Sequence, residues 1–247
     1  MRLESNTILY SKENGVAQIV LNRPDSINAY NTEMRDELFQ ALLAVRDDPE
    51  VLVAIFQGSG SRGFCSGADL TEFGTTPSQA IARTIRSDRD IWGLFLNLHK
   101  PLIAALHGYV IGVGLELASL CDLRIAAHDT FFQMPEVALG MIPTAGGTQT
   151  IPRIITTSYS IEIMLTNRRL SAEQAKSIGL VHHLVSMSEL NHAATRLARL
   201  LTSHNSDILA IAKRAIVDGI ELPLCDALKL EERLLIQLLS DKNPRFK

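Results

Sequence analysis

Three short runs built almost wholly of apolar residues constrain this chain most: Val51–Phe56, Leu102–Leu106 and Leu123–Ala127. Each reads as a strand, the first two as buried ones, because a run of five or six apolar residues suits a sheet covered on both faces. Helical patterns lie between them. Strands alternating with helices predict an α/β fold. Ahead of these runs, Thr7–Tyr10 and Val16–Leu21 flank Asn14-Gly15, a hairpin signal. Asn31 is placed to cap a helix whose apolar face is Met34, Leu38, Ala41, Leu42 and Val45, with Pro49 beyond its end.

A glycine-rich loop covers 58–67. A helix is predicted over 79–99 with Ile81, Ile85, Trp92 and Phe95 on one face. A short helix follows Gly112-Val113-Gly114 and runs to about Cys121. Beyond residue 158 the pattern turns helical. Ser171 and Gln174 form a capping-box signature, Gly179 suits a helix end, Ser188 suits a helix start, and 205–219 and 223–240 read as two further helices. The expected organisation is an α/β core over 1–190 and a helical part over 191–247.

Composition narrows the function. The 247 residues carry a formal charge of −3 with no basic tract, which disfavours nucleic acid as partner. No apolar run approaches the ~20 residues of a membrane span, and the first residues lack the apolar core of a signal peptide. Cys65, Cys121 and Cys225 are widely spaced and form no CxxC, so neither a disulfide framework nor a metal site is expected. These features predict a protein of a reducing compartment, the cytoplasm. Gly58-Ser59-Gly60-Ser61-Arg62-Gly63 matches the spacing of a dinucleotide loop. However, no helix opens within it and no acidic strand end follows ~20 residues on.

Chemistry concentrates in three segments: 64–70, 107–118 and 134–148. The second reads as strand, glycine loop, helix. The first N–H groups of a helix lack internal partners and suit a developing oxyanion. Glu116 lies one turn into that helix. It reads either as a first-turn glutamate favoured by the helix dipole or as an acid or base beside the anion site. Glu136 follows Pro135 and precedes an apolar stretch, 137–142. It reads either as a loop glutamate or as a carboxyl group whose pKa is raised for proton delivery.

Five ordered blocks resemble the enoyl-CoA hydratase/isomerase family, the crotonases. They are Leu21-Asn22-Arg23-Pro24-Asp25 through Asn28-Ala29; Phe64 to Leu70; Gly112 to Glu116 with Cys121 to Ala126; Pro135-Glu136 with Leu139-Gly140, Pro143 and Gly146-Gly147-Thr148; and Leu165 to Val181. The resemblance implies a spiral of ββα units with a C-terminal helical trimerisation part, assembled as a homotrimer or a dimer of trimers. It implies an acyl-CoA thioester as substrate, as in fatty acid metabolism, with coenzyme A part of the substrate and no separate cofactor or metal. The implied reaction is reversible hydration of an enoyl-CoA, with Glu116 and Glu136 catalytic and an oxyanion hole made by the backbone N–H groups of Ala68 and Val113. CoA and substrate contacts map onto Arg23, Arg62, Cys65, Ser66, Gly67, Asp69, Leu70, Gly112 and Thr144. Relatives with similar carboxylates isomerise enoyl-CoA or form enolates otherwise, so isomerisation is the alternative; RNA binding is a remote one. Asp69, His107, Asp122 and Arg124 read as structural, and Cys65 as a packed thiol. Asn167 stands where relatives often carry glycine, and asparagine tolerates the left-handed geometry. Phe73–Gln79 is expected to border the acyl pocket.

Overall fold

Asn14 and Gly15 both have positive φ, 50° and 78°, the turn geometry that follows strand twist. They join β1 (Ile8–Glu13) to β2 (Val16–Leu21), with Glu13 opposite Val16. The Asn31 side chain then accepts the Met34 N–H and opens α1 (Thr32–Asp47). All five of its predicted apolar positions are buried. The computed structural model describes residues 6–75, 78, 81, 84 and 88–240.

From here the chain repeats one unit: a strand in a large sheet, a strand in a small sheet, then a helix. The first unit is β3 (Val53–Gly58), β4 (Gly63–Cys65) and α2 (Ile91–Leu96). The second is β5 (Leu102–Leu106), β6 (Tyr109–Ile111) and α3 (Val113–Ser119). The third is β7 (Leu123–Ala127) and β8 (Phe131–Gln133), followed by α4 (Gly147–Ile154) and α5 (Thr157–Thr166). The chain closes with β9 (Leu170–Ser171), α6 (Ala172–Ser177), β10 (His183–Val185), α7 (Leu190–Thr202), α8 (Ser206–Gly219) and α9 (Leu224–Ser240). The large sheet has the order β1-β2-β3-β5-β7-β10, parallel from β2 onward. The small sheet has the order β4-β6-β8-β9. This is the expected α/β spiral of ββα units with a helical C-terminal part.

Both faces of the large sheet are covered, which explains its uninterrupted apolar runs. On one face Ala54, Phe56, Leu102, Ala104 and Leu106 join a core that includes Leu38, Leu42, Phe95 and Leu115. On the other, Val53, Ile55, Ile103, Ala105 and Ile125 pack under Leu190, Ala193, Ala194 and Ala198 of α7. α8 and α9 pack on each other. Lys213 ties α8 to the core through Asp122 (2.8 Å) and the Lys100 carbonyl (3.1 Å).

Two expectations are corrected. The helix read over 79–99 does not run unbroken: a new helix starts at Ile91 and ends at Leu96. Asp90 causes the break, because its carboxylate accepts the Gly93 N–H (2.9 Å) and so acts as an N-cap. Ile91 and Phe95 are buried, whereas Ile81 is exposed, and Ile85 lies outside the described residues. Ser188 does not start a helix either. It sits in a 3-10 turn over Met187–Glu189, and α7 begins at Leu190. The other signals hold. The Ser171–Gln174 capping box is complete, Gly179 has φ +82° just past α6, and Asn167 has φ 54° at the end of α5. The GxGxxG loop leads into a strand, not a helix. Its glycines serve close strand packing: a Cβ on Gly63 would lie 2.4 Å from the Tyr109 nitrogen. Among the described residues no helix is long and apolar enough to cross a membrane.

Arg124, the charged residue of β7, is buried without a carboxylate partner among the described residues. Its guanidinium donates to the carbonyls of Leu180 (2.7 Å), Ala118 and Cys121, so it closes the C-terminal end of α3, where a cation is favoured. Its backbone N–H donates to His182 Nδ1 (3.0 Å). Burial, then the Arg124 charge, lowers the His182 pKa to about 4 and keeps that ring a neutral acceptor. Arg124→Met strands these buried carbonyls. It is expected to cost about 3 kcal/mol, read as a lower urea midpoint at unchanged m-value.

Candidate active site

The site is built where three glycine-bearing segments come together. Gly67 (φ +106°) ends the loop after β4, and Gly112 (φ +52°, ψ −121°) links β6 to α3. A Cβ on Gly112 would lie 2.7 Å from Glu136 Oε1 and 3.7 Å from the Gly67 Cα. A Cβ on Gly114 would lie 2.6 Å from the Cys65 carbonyl oxygen. The first turn of α3 therefore packs directly on the 65–67 loop, with Glu136 against the same point. Side chains at 112 and 114 would push these pieces apart.

Glu116 rises from α3 and is 1% exposed. Its Oε1 accepts the N–H of Ala145 (3.0 Å) and of Gly147 (2.7 Å). A Cβ on Gly147 would sit 2.8 Å from that oxygen, so the glycine is what allows the approach. Two N–H donors aimed at one carboxylate oxygen favour its ionised form. They also fix the side chain's direction.

Glu136 opens a 3-10 turn, Glu136–Leu139, closed by Gly140 in the left-handed region. Its Oε2 is buried and has no hydrogen-bond partner among the described residues. Burial raises its pKa above the usual carboxylate value. The two glutamates thus differ in kind: Oε1 of Glu116 accepts two backbone N–H bonds, while Oε2 of Glu136 has no partner among the described residues and its pKa is raised.

Ala68 pairs with Tyr30 in an isolated bridge: the Tyr30 N–H donates to the Gly67 carbonyl (2.8 Å) and the Asp69 N–H to the Tyr30 carbonyl (2.8 Å). Neither bond uses the Ala68 N–H. Val113 is the first residue of α3, where no helical carbonyl precedes it. Among the described residues no acceptor takes the N–H of Ala68 or of Val113.

The remaining predicted residues divide by what they touch. Arg23 Nη1 reaches the Ala29 carbonyl (2.6 Å) and Asp69 Oδ2 (2.9 Å). The hydrogen bond from the Thr71 hydroxyl, then Arg23, lowers the Asp69 pKa. Arg62 donates to the carbonyls of Pro24 (2.7 Å) and Asp25. Ser66 donates its hydroxyl to the Ser26 carbonyl (3.0 Å). Cys65 is buried and its thiol is pushed up to about 12 by burial, which suits packing and not reactivity. Leu70 and Thr144 are exposed, Thr144 directly before Ala145. His107 Nε2 meets the Gly60 carbonyl (3.0 Å), away from the glutamates' partners.

Two features were not read from sequence. Ala145 and Gly147 are backbone donors to Glu116, and nothing in PTAGGT announces which carboxylate its N–H groups will meet. Asn28, fully buried at φ 54°, accepts the Arg23 N–H (2.8 Å) and donates to the carbonyls of Ser59 (3.0 Å) and Gly63 (3.1 Å). Its presence in the Asn28-Ala29 block was the available signal. Among the described residues no three His, Cys, Asp or Glu side chains converge as a metal site would need.

The family model for enoyl-CoA hydratase/isomerase matches residues 11–245. The short-chain-enoyl-CoA hydratase of Clostridium acetobutylicum is 31% identical over 98% of this chain and 93% of its own length. The (E)-benzylidenesuccinyl-CoA hydratase of Thauera aromatica is 34% identical over 94% of this chain and 90% of its own. The crystal structure of an enoyl-CoA hydratase from Bacillus anthracis superposes with a TM-score of 0.90 at 32% identity, covering 96% of this chain and 93% of that one. The fold and the sequence agree, and the chain belongs to the enoyl-CoA hydratase/isomerase family, the crotonases. Family chemistry on acyl-CoA substrates follows from that membership.

The raised pKa of Glu136 predicts a pH dependence of stability. The unfolded group releases its proton near 4.5 while the folded group still holds it. The Glu136 contribution to stability should therefore be lost as pH rises from about 4.5 through the folded value, since the folded group binds more protons there, whereas His182, lowered to about 4, contributes the opposite slope. The contribution of Glu136 is isolated by difference: the urea midpoint of the parent relative to that of Glu136→Gln should fall as pH rises above about 4.5.

Proposed function

We propose that the protein is an enoyl-CoA hydratase, adding water reversibly across the 2,3 double bond of an enoyl-CoA thioester. The observation that carries this reading is the pair of unlike carboxylates. Glu116 is held by the N–H groups of Ala145 and Gly147, and half-buried Glu136 has a buried Oε2 with no hydrogen-bond partner among the described residues. Hydration needs both states at once. Glu116, its Oε1 held by two N–H donors, orients water and accepts its proton as the oxygen attacks Cβ. Glu136, whose pKa burial raises, delivers a proton to Cα. Addition to Cβ places negative charge on the thioester oxygen. The N–H groups of Ala68 and Val113 are the donors we assign to it, and loss of one such donor typically costs ~10²–10³ in rate.

In this reading CoA lies along the 62–70 loop and the turn that carries Arg62's contacts, with Ser66, Gly67 and Leu70 beside it and Thr144 near the acyl end. The names of the two hydratases above support hydration over other family reactions. The family description also covers isomerisation, for which the same two carboxyl groups would move a proton from C2 to C4. Product mass separates the two, since only hydration adds water. The buried thiols of Cys65 and Cys121 fit a reducing, cytoplasmic setting.

We also propose assembly as a trimer or a dimer of trimers. Ile216 of α8, Ile220 directly after it, and Leu224, Leu228, Leu235, Ile236 and Leu239 of α9 are each more than half exposed. So many exposed large apolar residues on two helices that pack on each other fit a partner surface. Light scattering should give three or six times the 27.2 kDa chain mass; a monomer would overturn this part.

With a short trans-2-enoyl-CoA, loss of the conjugated absorbance and a gain of one water in the product are expected. Glu116→Gln and Glu136→Gln should each lower kcat ~10²–10⁴-fold while the urea midpoint stays close to the parent's. Near-normal turnover by both variants would sink the two-carboxylate mechanism.

A further inference from the structure

The donor assigned to Ala68 is useful only if its N–H is held still. The 66–69 loop is anchored at its start, where the Ser66 N–H and hydroxyl donate to the Ile27 (2.9 Å) and Ser26 (3.0 Å) carbonyls. Gly67 lies at φ +106°, and the single bridge to Tyr30 fixes the residues on either side of the Ala68 nitrogen. The direction of that N–H therefore follows the position of Tyr30. Tyr30 ends the turn 23–30, which contains Ile27 and Asn28 at φ 52° and 54°. An isoleucine in the left-handed region is unfavourable, so the turn keeps its shape only if something closes it.

Arg62 and Ser66 hold its 24–26 carbonyls from outside, and two side chains close it from within. Asn28 binds inward, to the Arg23 N–H and to the Ser59 and Gly63 carbonyls. Arg23 reaches across: one nitrogen, Nη1, contacts both the Ala29 carbonyl, one residue before Tyr30, and Asp69 Oδ2, one residue after Ala68. Arg23 and Asp69 retain 25% and 13% side-chain exposure, so the pair is shielded enough to persist in salt. Asp69 is also held by Thr71, whose N–H and hydroxyl donate to Oδ1 (3.2 and 2.7 Å). Arg23 thus spans the open ends of two loops, with Ala68 between them.

We propose that Arg23 and Asp69 form a clasp that aims the Ala68 N–H at the thioester oxygen, making Arg23 a positioning residue and not a ligand of the CoA phosphates. This rests on the enoyl-CoA reading above. A phosphate ligand and a positioning clasp predict opposite behaviour when the charge is removed. A ligand works equally in ground and transition states and shows in affinity. A clasp for an oxyanion donor works on the transition state and shows in kcat.

The test compares the parent chain with Arg23→Met, Asp69→Asn and the double variant. Four quantities are read: kcat and KM for a trans-2-enoyl-CoA, the dissociation constant of CoA alone, and the red shift of a bound conjugated enoyl-CoA. Each single variant is expected to lower kcat ~10–100-fold with KM within about twofold, as a partial loss of one donor implies. CoA affinity should not change, and the red shift should shrink in step with kcat. The double variant should be no slower than the worse single one, because both break the same contact. Asp69→Asn keeps the Thr71 contacts and the shape of the loop, so it stands as the milder probe if Arg23→Met folds poorly. The clasp is overturned if Arg23→Met weakens CoA binding while saturating kcat is unchanged, or if the two losses add. If the parent chain neither turns over enoyl-CoA nor shifts its spectrum, the enoyl-CoA reading falls first. Full parent activity with an undiminished kcat in Asp69→Asn overturns the clasp alone.

Discussion

Backbone approach at glycine is the constraint on which the rest of this structure depends. Gly63 lets β4 lie against Tyr109, Gly114 lets α3 sit on the Cys65 carbonyl, and Gly112 leaves room for the Glu136 carboxyl group. Each approach is closer than a Cβ would permit. Without them, the strands of the small sheet could not bring the 65–69 loop and the first turn of α3 side by side. The spiral supplies the frame, since each turn sends one strand through the large sheet and one through the small sheet. The functional loops leave from the ends of neighbouring small-sheet strands.

The electrostatics of the site follow from burial and hydrogen bonding. Two carboxyl groups of equal intrinsic acidity sit in unlike surroundings. Glu116 meets two N–H groups belonging to the 145–147 segment. Glu136 is desolvated and lacks a partner for Oε2. The arginines bind backbone and loops and not the two glutamates: Arg124 closes the far end of α3, Arg62 binds the 24–25 carbonyls, and Arg23 joins two loops. In each case guanidinium's several donors on a rigid plane let one side chain hold separate strands of backbone.

Most of the fold could be read from the chain. Apolar runs marked β3, β5 and β7, and Asn14-Gly15 marked the hairpin. Asn31 and the Ser171–Gln174 pair marked helix starts, because these signals are local and act through the backbone beside them. The errors were local too. Asp90 falls inside the helix pattern read over 79–99, but its carboxylate caps a new helix, and periodicity alone does not reveal such a cap. Ser188 had the chemistry of a cap but fell inside a 3-10 turn.

Glu116, Glu136 and the glycines around them were legible because residue type and spacing limit what such segments can do, and the five ordered blocks pointed to one family. What the chain could not disclose was which groups meet across long separations. The donors to Glu116 come from about thirty residues away, and Asn28 and Arg23 reach carbonyls and a carboxylate on loops distant in sequence. Arg23 and Asp69 look like candidate ligands when read singly, and only folding shows them bound to each other. Local propensity is written in neighbouring residues, whereas a carboxylate's ionisation and an N–H group's direction depend on contacts that exist only after the sheets have closed.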